Sequence, residues 1–105
     1  MRKFYDKLVR DRIPEAIAKA GKISRVQQLD GETLCTYAFE KLREEVEEFI
    51  AVPCAEEAAD ILEILEFLCK RFKIGAVAVK AEQISKHATK GGFEKGLLLE
   101  WVEDK

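Results

Sequence analysis

A run of carboxylates in the middle of the chain has the residue types and spacing for metal chemistry. Residues 40–66 contain ten Asp and Glu residues against two basic residues, Lys41 and Arg43, which gives a local charge of -8. Glu45 and Glu48 form one pair at i, i+3 spacing, and Glu57 and Asp60 form another. Side chains three apart lie on one face of a helix. Carboxylate oxygens with room for water suit Mg²⁺, which proteins commonly share between carboxylates and substrate phosphates.

Two helices must position these four carboxylates. Asp30 is suited to be the N-cap of a helix that runs from Gly31 to about Ile50. A second helix is predicted from Cys54 or Ala55 to Phe72, with Pro53 in the short connection between them. So short a link predicts an antiparallel hairpin. The two carboxylate pairs, one before the turn and one after it, are therefore expected at one height.

The helical wheel places two of these carboxylates on apolar faces. Glu45 falls within the apolar stripe of the first helix, and Glu57 lies level with Ile64 and Leu68 on the second. Glu48 lies at the stripe's margin, and Asp60 lies between two faces. Buried carboxylates repel one another unless something compensates them, and few Lys or Arg residues lie nearby. A divalent cation is one interpretation. Solvated helix faces with i, i+4 salt bridges are the other.

The positions of proline and glycine predict the bounds of the other helices. Pro14 predicts a short helix over Ile13–Ala20, and Gly91-Gly92 ends a further helix over Ala76–Lys90. Residues 22–29 are expected to form a short strand or an extended loop. Residues 97–103, in the apolar tail, would pair with them as a strand or dock as a helix. The predicted fold is all-α, a helical hairpin within a bundle, with this small β pairing as an option.

Length and composition define the class of protein. A chain of 105 residues, 48% apolar and 36% charged, predicts one domain over residues 1–105. No stretch is apolar enough for a membrane helix, and no apolar region follows the basic N-terminal residues as in a secretory signal. Three cysteines without a CxxC pair indicate reduced, packed thiols rather than disulfides or a zinc site. The expected location is the cytoplasm.

Three motifs resemble those of a known enzyme family. The carboxylates from Glu44 to Glu48, followed by Glu57 and Asp60, resemble the EExxE…ExxD signature of the all-α nucleoside triphosphate pyrophosphohydrolases, which include MazG-like proteins. The stretch Tyr5–Glu15, with KLVRDRIPE, and the stretch Lys90–Lys95, with GGFEK, are similar to a small single-domain branch labelled phosphoribosyl-ATP pyrophosphohydrolase-like. Only eight residues separate Glu48 from Glu57, which is shorter than in many MazG-like proteins.

The resemblance implies a site and a reaction. Glu45, Glu48, Glu57 and Asp60 would bind Mg²⁺. Glu44 matches the leading glutamate, which assists a metal or water, so Glu44 and Glu45 are the expected catalytic residues. Lys7, Arg10 and Lys90 are favoured as phosphate-binding residues by their motif positions. The implied reaction cleaves a nucleoside triphosphate between the α and β phosphates. One role for such a reaction is the removal of aberrant nucleotides. The alternatives are phosphoribosyl-ATP pyrophosphohydrolase of histidine biosynthesis and a non-catalytic helical adaptor.

Charge and apolar patterning also bear on partners. Residues 1–25 hold eight basic residues against three acids, and residues 70–105 hold eight against five. Nucleic acid is not expected as a partner, because the central acidic region opposes it and the aromatic residues are not interleaved with Lys and Arg. The apolar run from Leu97 to Val102, together with the resemblance to dimeric enzymes, predicts a homodimer or higher homo-oligomer.

Overall fold

Two long antiparallel helices form the centre of the protein, and the computed structural model describes all 105 residues. The chain contains four helices and no strand: α1 (Ile13–Lys19), α2 (Gly31–Ala51), α3 (Ala55–Arg71) and α4 (Ala76–Lys90). The pair α2 and α3 makes the one extended helix–helix contact. The all-α fold and the helical hairpin predicted from the sequence are confirmed.

The helix ends follow local sequence signals. Asp30 and Cys54 precede α2 and α3 in extended conformation, although neither side chain makes a capping hydrogen bond. Pro14 lies in the first turn of α1, where its missing N–H costs nothing. Gly91 ends α4 with a φ of 80°, a left-handed conformation that favours glycine. α4 has the predicted bounds, and the other helix ends lie within one residue of those expected.

The core is small and lies between α2 and α3. Its three buried apolar residues are Ala38, Ile64 and Leu68, with Leu8 and Leu42 packed against them. Leu8 belongs to the segment before α1, so this contact lays the N-terminal segment along the hairpin. None of the four helices is long and apolar enough to cross a membrane.

The β pairing considered for residues 22–29 and 97–103 is wrong. Neither stretch forms a strand, and the tail after Gly91 does not form a helix either. Ile23, Leu98 and Trp101 are at least 74% exposed. Because the apolar side chains of neither segment pack on another surface, neither segment gains the contacts that would offset the entropy cost of ordering its backbone.

Candidate metal and phosphate site

The last turns of α2 and the first turns of α3 bring the predicted carboxylates together. Glu45 is buried, with 5% of its surface exposed, and Glu57 and Asp60 are half-buried. One carboxylate oxygen from each of these three residues lies within 4.8 Å of the other two. Opposite ligands of an octahedral Mg²⁺ ion are about 4.2 Å apart, so a small adjustment of side chains would fit one. We call Glu44, Glu45, Glu48, Glu57 and Asp60 the acidic cluster.

Two oxygens of the cluster are buried without any hydrogen-bond partner. They are Oε2 of Glu45 and Oε2 of Glu57. An unpaired buried acceptor carries its full desolvation cost, and an ionised one costs more. Both oxygens belong to residues whose ligand atoms already converge. Their surroundings therefore fit a cation, which would satisfy both.

The fourth predicted ligand, Glu48, is exposed and is not among the three converging residues. It nevertheless lies near Glu57. Burial raises the pKa of the Glu57 carboxyl, and the negative charges of Glu48 and Asp60 raise that pKa further. Neither Glu48 nor Glu57 forms an ion pair with Lys or Arg. This side of the cluster is where negative charge is least compensated.

Basic side chains neutralise the other side of the cluster. Lys7 donates to Oε1 of Glu44 at 2.8 Å, and Arg10 donates to Oδ1 of Asp60 at 2.7 Å. Lys41 lies 3.1 Å from Oε1 of Glu45. The expectation that few basic residues are available for pairing is therefore wrong. Together with Glu63, which lies 3.6 Å from Arg10, six carboxylates face three cations, so negative charge remains in excess around the cluster.

The sequence reasoning missed Lys41, although a signal was present. Lys41 and Glu45 are four residues apart on one helix, which places them side by side. Lys41 is only 17% exposed, so its contact with Glu45 is more than a surface pairing. Lys41 holds Oε1 of Glu45 and leaves Oε2 without a hydrogen-bond partner.

The predicted phosphate-binding residues divide into two groups. Lys7 and Arg10 lie at the acidic cluster, although they come 37 and 50 residues before the acids they contact. Leu8, packed on the core between them, positions both. Lys90, at the end of α4, forms no ion pair with the cluster, and α4 does not pack along the hairpin. Within one chain, the structure does not bring Lys90 to the site.

The pair of Lys7 and Glu44 makes a pH-dependent contribution to stability. The hydrogen bond from Lys7 lowers the pKa of Glu44, and the same bond raises the pKa of Lys7. The Glu44 contribution is present above its ordinary pKa of 4.5 and is lost as the pH falls below that value. The Lys7 contribution is present below 10.5 and is lost as the pH rises above it.

We therefore expect Glu44→Gln to lower the free energy of unfolding near neutral pH by about 0.2–1 kcal/mol, the range for an exposed pair. The difference in free energy of unfolding from the unmodified protein should vanish at acid pH, where Glu44 is protonated in both the folded and the unfolded state. Urea unfolding across the pH range measures it. Glu40→Gln, on the same helix and exposed, is the control. A deficit that is equally large at acid pH would contradict the assignment.

A separate cleft of about 630 Å³ lies at the other end of the hairpin. It is lined by the start of α2, including Cys35 and Phe39, and by Arg71 and Phe72 at the end of α3. Arg71 donates to the carbonyl oxygen of Gly31 at 3.4 Å. The ten residues of helix between Cys35 and Glu45 put this cleft about 15 Å from the acidic cluster.

Comparison of the chain with family models, with curated proteins and with solved structures finds no match. A function for the chain is therefore proposed from the geometry of the acidic cluster.

Proposed function

We propose that this protein is a Mg²⁺-dependent nucleoside triphosphate pyrophosphohydrolase, which cleaves between the α and β phosphates to give a nucleoside monophosphate and pyrophosphate. One observation carries the proposal. Buried, unpartnered oxygens of Glu45 and Glu57 lie in a group of three carboxylates whose ligand atoms fall within 4.8 Å. Two cationic residues, Lys7 and Arg10, adjoin that group. Acidic ligands beside phosphate-binding cations are what a metal–triphosphate substrate requires.

Glu45, Glu57 and Asp60 would hold the cation, with Glu48 at its exposed side. A bound divalent cation supplies neutralisation of phosphate oxygens and a lower pKa for the attacking water. The choice of Mg²⁺ rests on the all-oxygen donor set, which suits a hard cation. The resemblance of the carboxylate motif to the pyrophosphohydrolase signature supports the same choice.

Glu44 is suited to orient the attacking water. Its contact with Lys7 lowers its pKa, which keeps it ionised and able to accept a hydrogen bond at neutral pH. Its position, next to Glu45 on α2 and linked to Lys7, puts it at the border between the carboxylates and the basic N-terminal segment. This role of Glu44 requires a charged carboxylate, and a neutral polar side chain of the same size would not perform it.

Lys7 and Arg10 would hold the phosphates that the cation does not neutralise. Both side chains are partly exposed, at 37% and 51%, so they have access to a ligand. Arg10 also lies 3.6 Å from Glu63, which gives it a second carboxylate partner. Guanidinium groups bind phosphate through paired hydrogen bonds, whereas an ammonium acts as a point charge. Arg10→Lys is therefore not a conservative change here.

A non-catalytic helical adaptor is the second candidate, because one observation favours it. Glu44, Glu45 and Asp60 each have a basic partner within the chain, so a part of the cluster is stable without metal. This candidate leaves the free oxygens of Glu45 and Glu57 unexplained.

The three free cysteines are consistent with the reducing cytoplasm, which we propose as the location of the protein.

The experiment that tests the proposed reaction is a substrate panel. Ribo- and deoxyribonucleoside triphosphates and phosphoribosyl-ATP are incubated with the protein and Mg²⁺, and both products are identified. Release of pyrophosphate together with a monophosphate from one or a few members supports the reaction and identifies the substrate. Release of phosphate alone would contradict cleavage between the α and β phosphates. No turnover of any member would favour the adaptor.

A further inference from the structure

An exposed aromatic ring lies beside the acidic cluster. The ring belongs to Tyr5, in the segment before α1. The ammonium of Lys7 lies 5.7 Å from the centroid of this ring and donates to Oε1 of Glu44 at 2.8 Å. One lysine side chain therefore connects the ring to the carboxylates. Leu8, which packs on the core, holds this part of the N-terminal segment against the hairpin.

The ring of Tyr5 is accessible and has a basic environment. Tyr5 is 61% exposed. The ammonium of Lys3 lies 5.1 Å from the ring centroid, so two cations lie within the distance of a cation–π contact. Phe4, the neighbouring aromatic residue, is 76% exposed and has no such contact. The lysines therefore lie at the ring of Tyr5 and not at every aromatic ring of the segment.

This arrangement has the two parts that bind a nucleotide. Aromatic side chains bind nucleobases by stacking, and ammonium groups bind phosphate oxygens. In the proposed reaction the α-phosphate lies at the cation held by the acidic cluster, and a single ribose separates that phosphate from the base. The base must therefore lie close to the cluster, as Tyr5 does. Phe39 and Phe72 line the cleft about 15 Å away, which is too far for a base attached to that phosphate.

We propose that the base of the nucleotide stacks on the ring of Tyr5, with the ammonium of Lys7 at the phosphate end. Lysine side chains are flexible, so an ammonium that leaves the ring face for a phosphate makes room for the base. This inference rests on the proposed function and specifies its substrate class, a nucleotide whose aromatic base is bound through its face. Every purine and pyrimidine has such a face, so Tyr5 contributes affinity for the base without selecting among bases.

Binding of uncleavable nucleotide analogues tests the contact without requiring turnover. The probes are adenosine and cytidine triphosphate analogues with a methylene group between the α and β phosphates, and inorganic tripolyphosphate, each titrated calorimetrically with Mg²⁺ present. Tyr5→Leu keeps an apolar side chain but removes the ring. We expect it to raise the dissociation constants of both analogues at least about 5-fold, the lower end of the range for one base–aromatic stacking contact. Its affinity for tripolyphosphate, which has no base, should be unchanged.

Matched variants separate the role of the ring from other causes. Tyr5→Phe retains the ring and loses only the hydroxyl, so it should bind both analogues as the unmodified protein does. Phe4→Leu makes the same loss of a ring one residue away and should also leave binding unchanged. Glu57→Gln should weaken binding of all three ligands, which tests the proposed function in the same titrations.

Three results would overturn the stacking contact alone. They are unchanged affinity of Tyr5→Leu for both analogues, the same weakening by Phe4→Leu, and equally weakened binding of tripolyphosphate, which would show that Tyr5 supports Lys7 instead of a base. In each case weaker binding by Glu57→Gln would still support the acidic cluster as the phosphate site. Failure of the unmodified protein to bind any of the three ligands would contradict the stacking contact and the proposed function together.

Discussion

Glu57→Gln and Glu45→Gln should each reduce pyrophosphate release at least about 100-fold, because under the proposed mechanism they remove charged ligands from the cation that would stabilise the transition state. Glutamine keeps the size and one oxygen of the side chain but not its charge. Both residues have a buried oxygen without a partner, so each change affects the group of atoms on which the proposal depends. The initial rate on the best substrate from the panel measures the effect.

Matched controls lie next to each residue. Glu56 shares the first turn of α3 with Glu57 but is exposed, and Glu47 is the exposed counterpart of Glu45 on α2. Loss of a negative charge at the start of a helix weakens it equally in Glu56→Gln and Glu57→Gln. Both controls should retain full activity. Equal losses in the controls and the site variants, with helical content unchanged by circular dichroism, would show that the acidic cluster has no special role.

The second large effect is on stability. Saturating Mg²⁺ should raise the free energy of unfolding, by about 2.7 kcal/mol at a free concentration one hundred times the dissociation constant. Glu57→Gln should abolish this increase. In EDTA Glu57→Gln should unfold at a higher temperature than Glu56→Gln, because both variants lose a charge at the helix start but only Glu57→Gln removes repulsion from Glu48 and Asp60. Compared with Glu56→Gln, the Glu57→Gln variant should therefore unfold at a lower temperature in Mg²⁺ and at a higher temperature in EDTA. A merely structural residue would shift the unfolding temperature in the same direction in both conditions.

Differential scanning calorimetry with Mg²⁺ and with EDTA measures both effects. Glu56→Gln should keep the Mg²⁺-dependent increase in unfolding temperature. A variant Glu57→Gln that still responds to Mg²⁺ as the unmodified protein does would remove Glu57 from the site. If Glu57→Gln is less stable than Glu56→Gln in EDTA, the charge of Glu57 already has a partner, contrary to its observed surroundings.

The hairpin and the burial of its carboxylates were predictable because both depend on local periodicity. A period of 3.6 residues determines which side chains share a face, and it placed Glu45 in the apolar stripe where the structure buries it. Pro53 and the short connection fixed the antiparallel arrangement. The convergence of Glu45 with Glu57 and Asp60 followed from these two facts together.

The ion pairs were less predictable because they depend on where the N-terminal segment lies. The motif resemblance favoured Lys7 and Arg10 as phosphate-binding residues but did not predict their contacts with Glu44 and Asp60. Those contacts require Leu8 to pack on the core, a long-range event without a periodic signal. Lys41 did have a local signal, its i, i+4 spacing from Glu45, but the net acidity of the region obscured it.

The conformation of the C-terminal tail was not predictable from the sequence for a different reason. Leu97, Leu98 and Leu99 are consecutive, which fits neither the alternation of a half-buried strand nor the stripe of a helix. All three are exposed and outside any regular element in the isolated chain. The sequence pattern of this segment therefore does not determine a regular element.

Calorimetric titration of the metal-free protein with Mg²⁺ tests the central claim most directly, since it requires no knowledge of the substrate. We expect saturable binding to the unmodified protein and to Glu56→Gln, and none to Glu57→Gln. Identical isotherms for all three proteins, or no binding to the unmodified protein, would contradict the assignment of Glu45, Glu57 and Asp60 as a metal site.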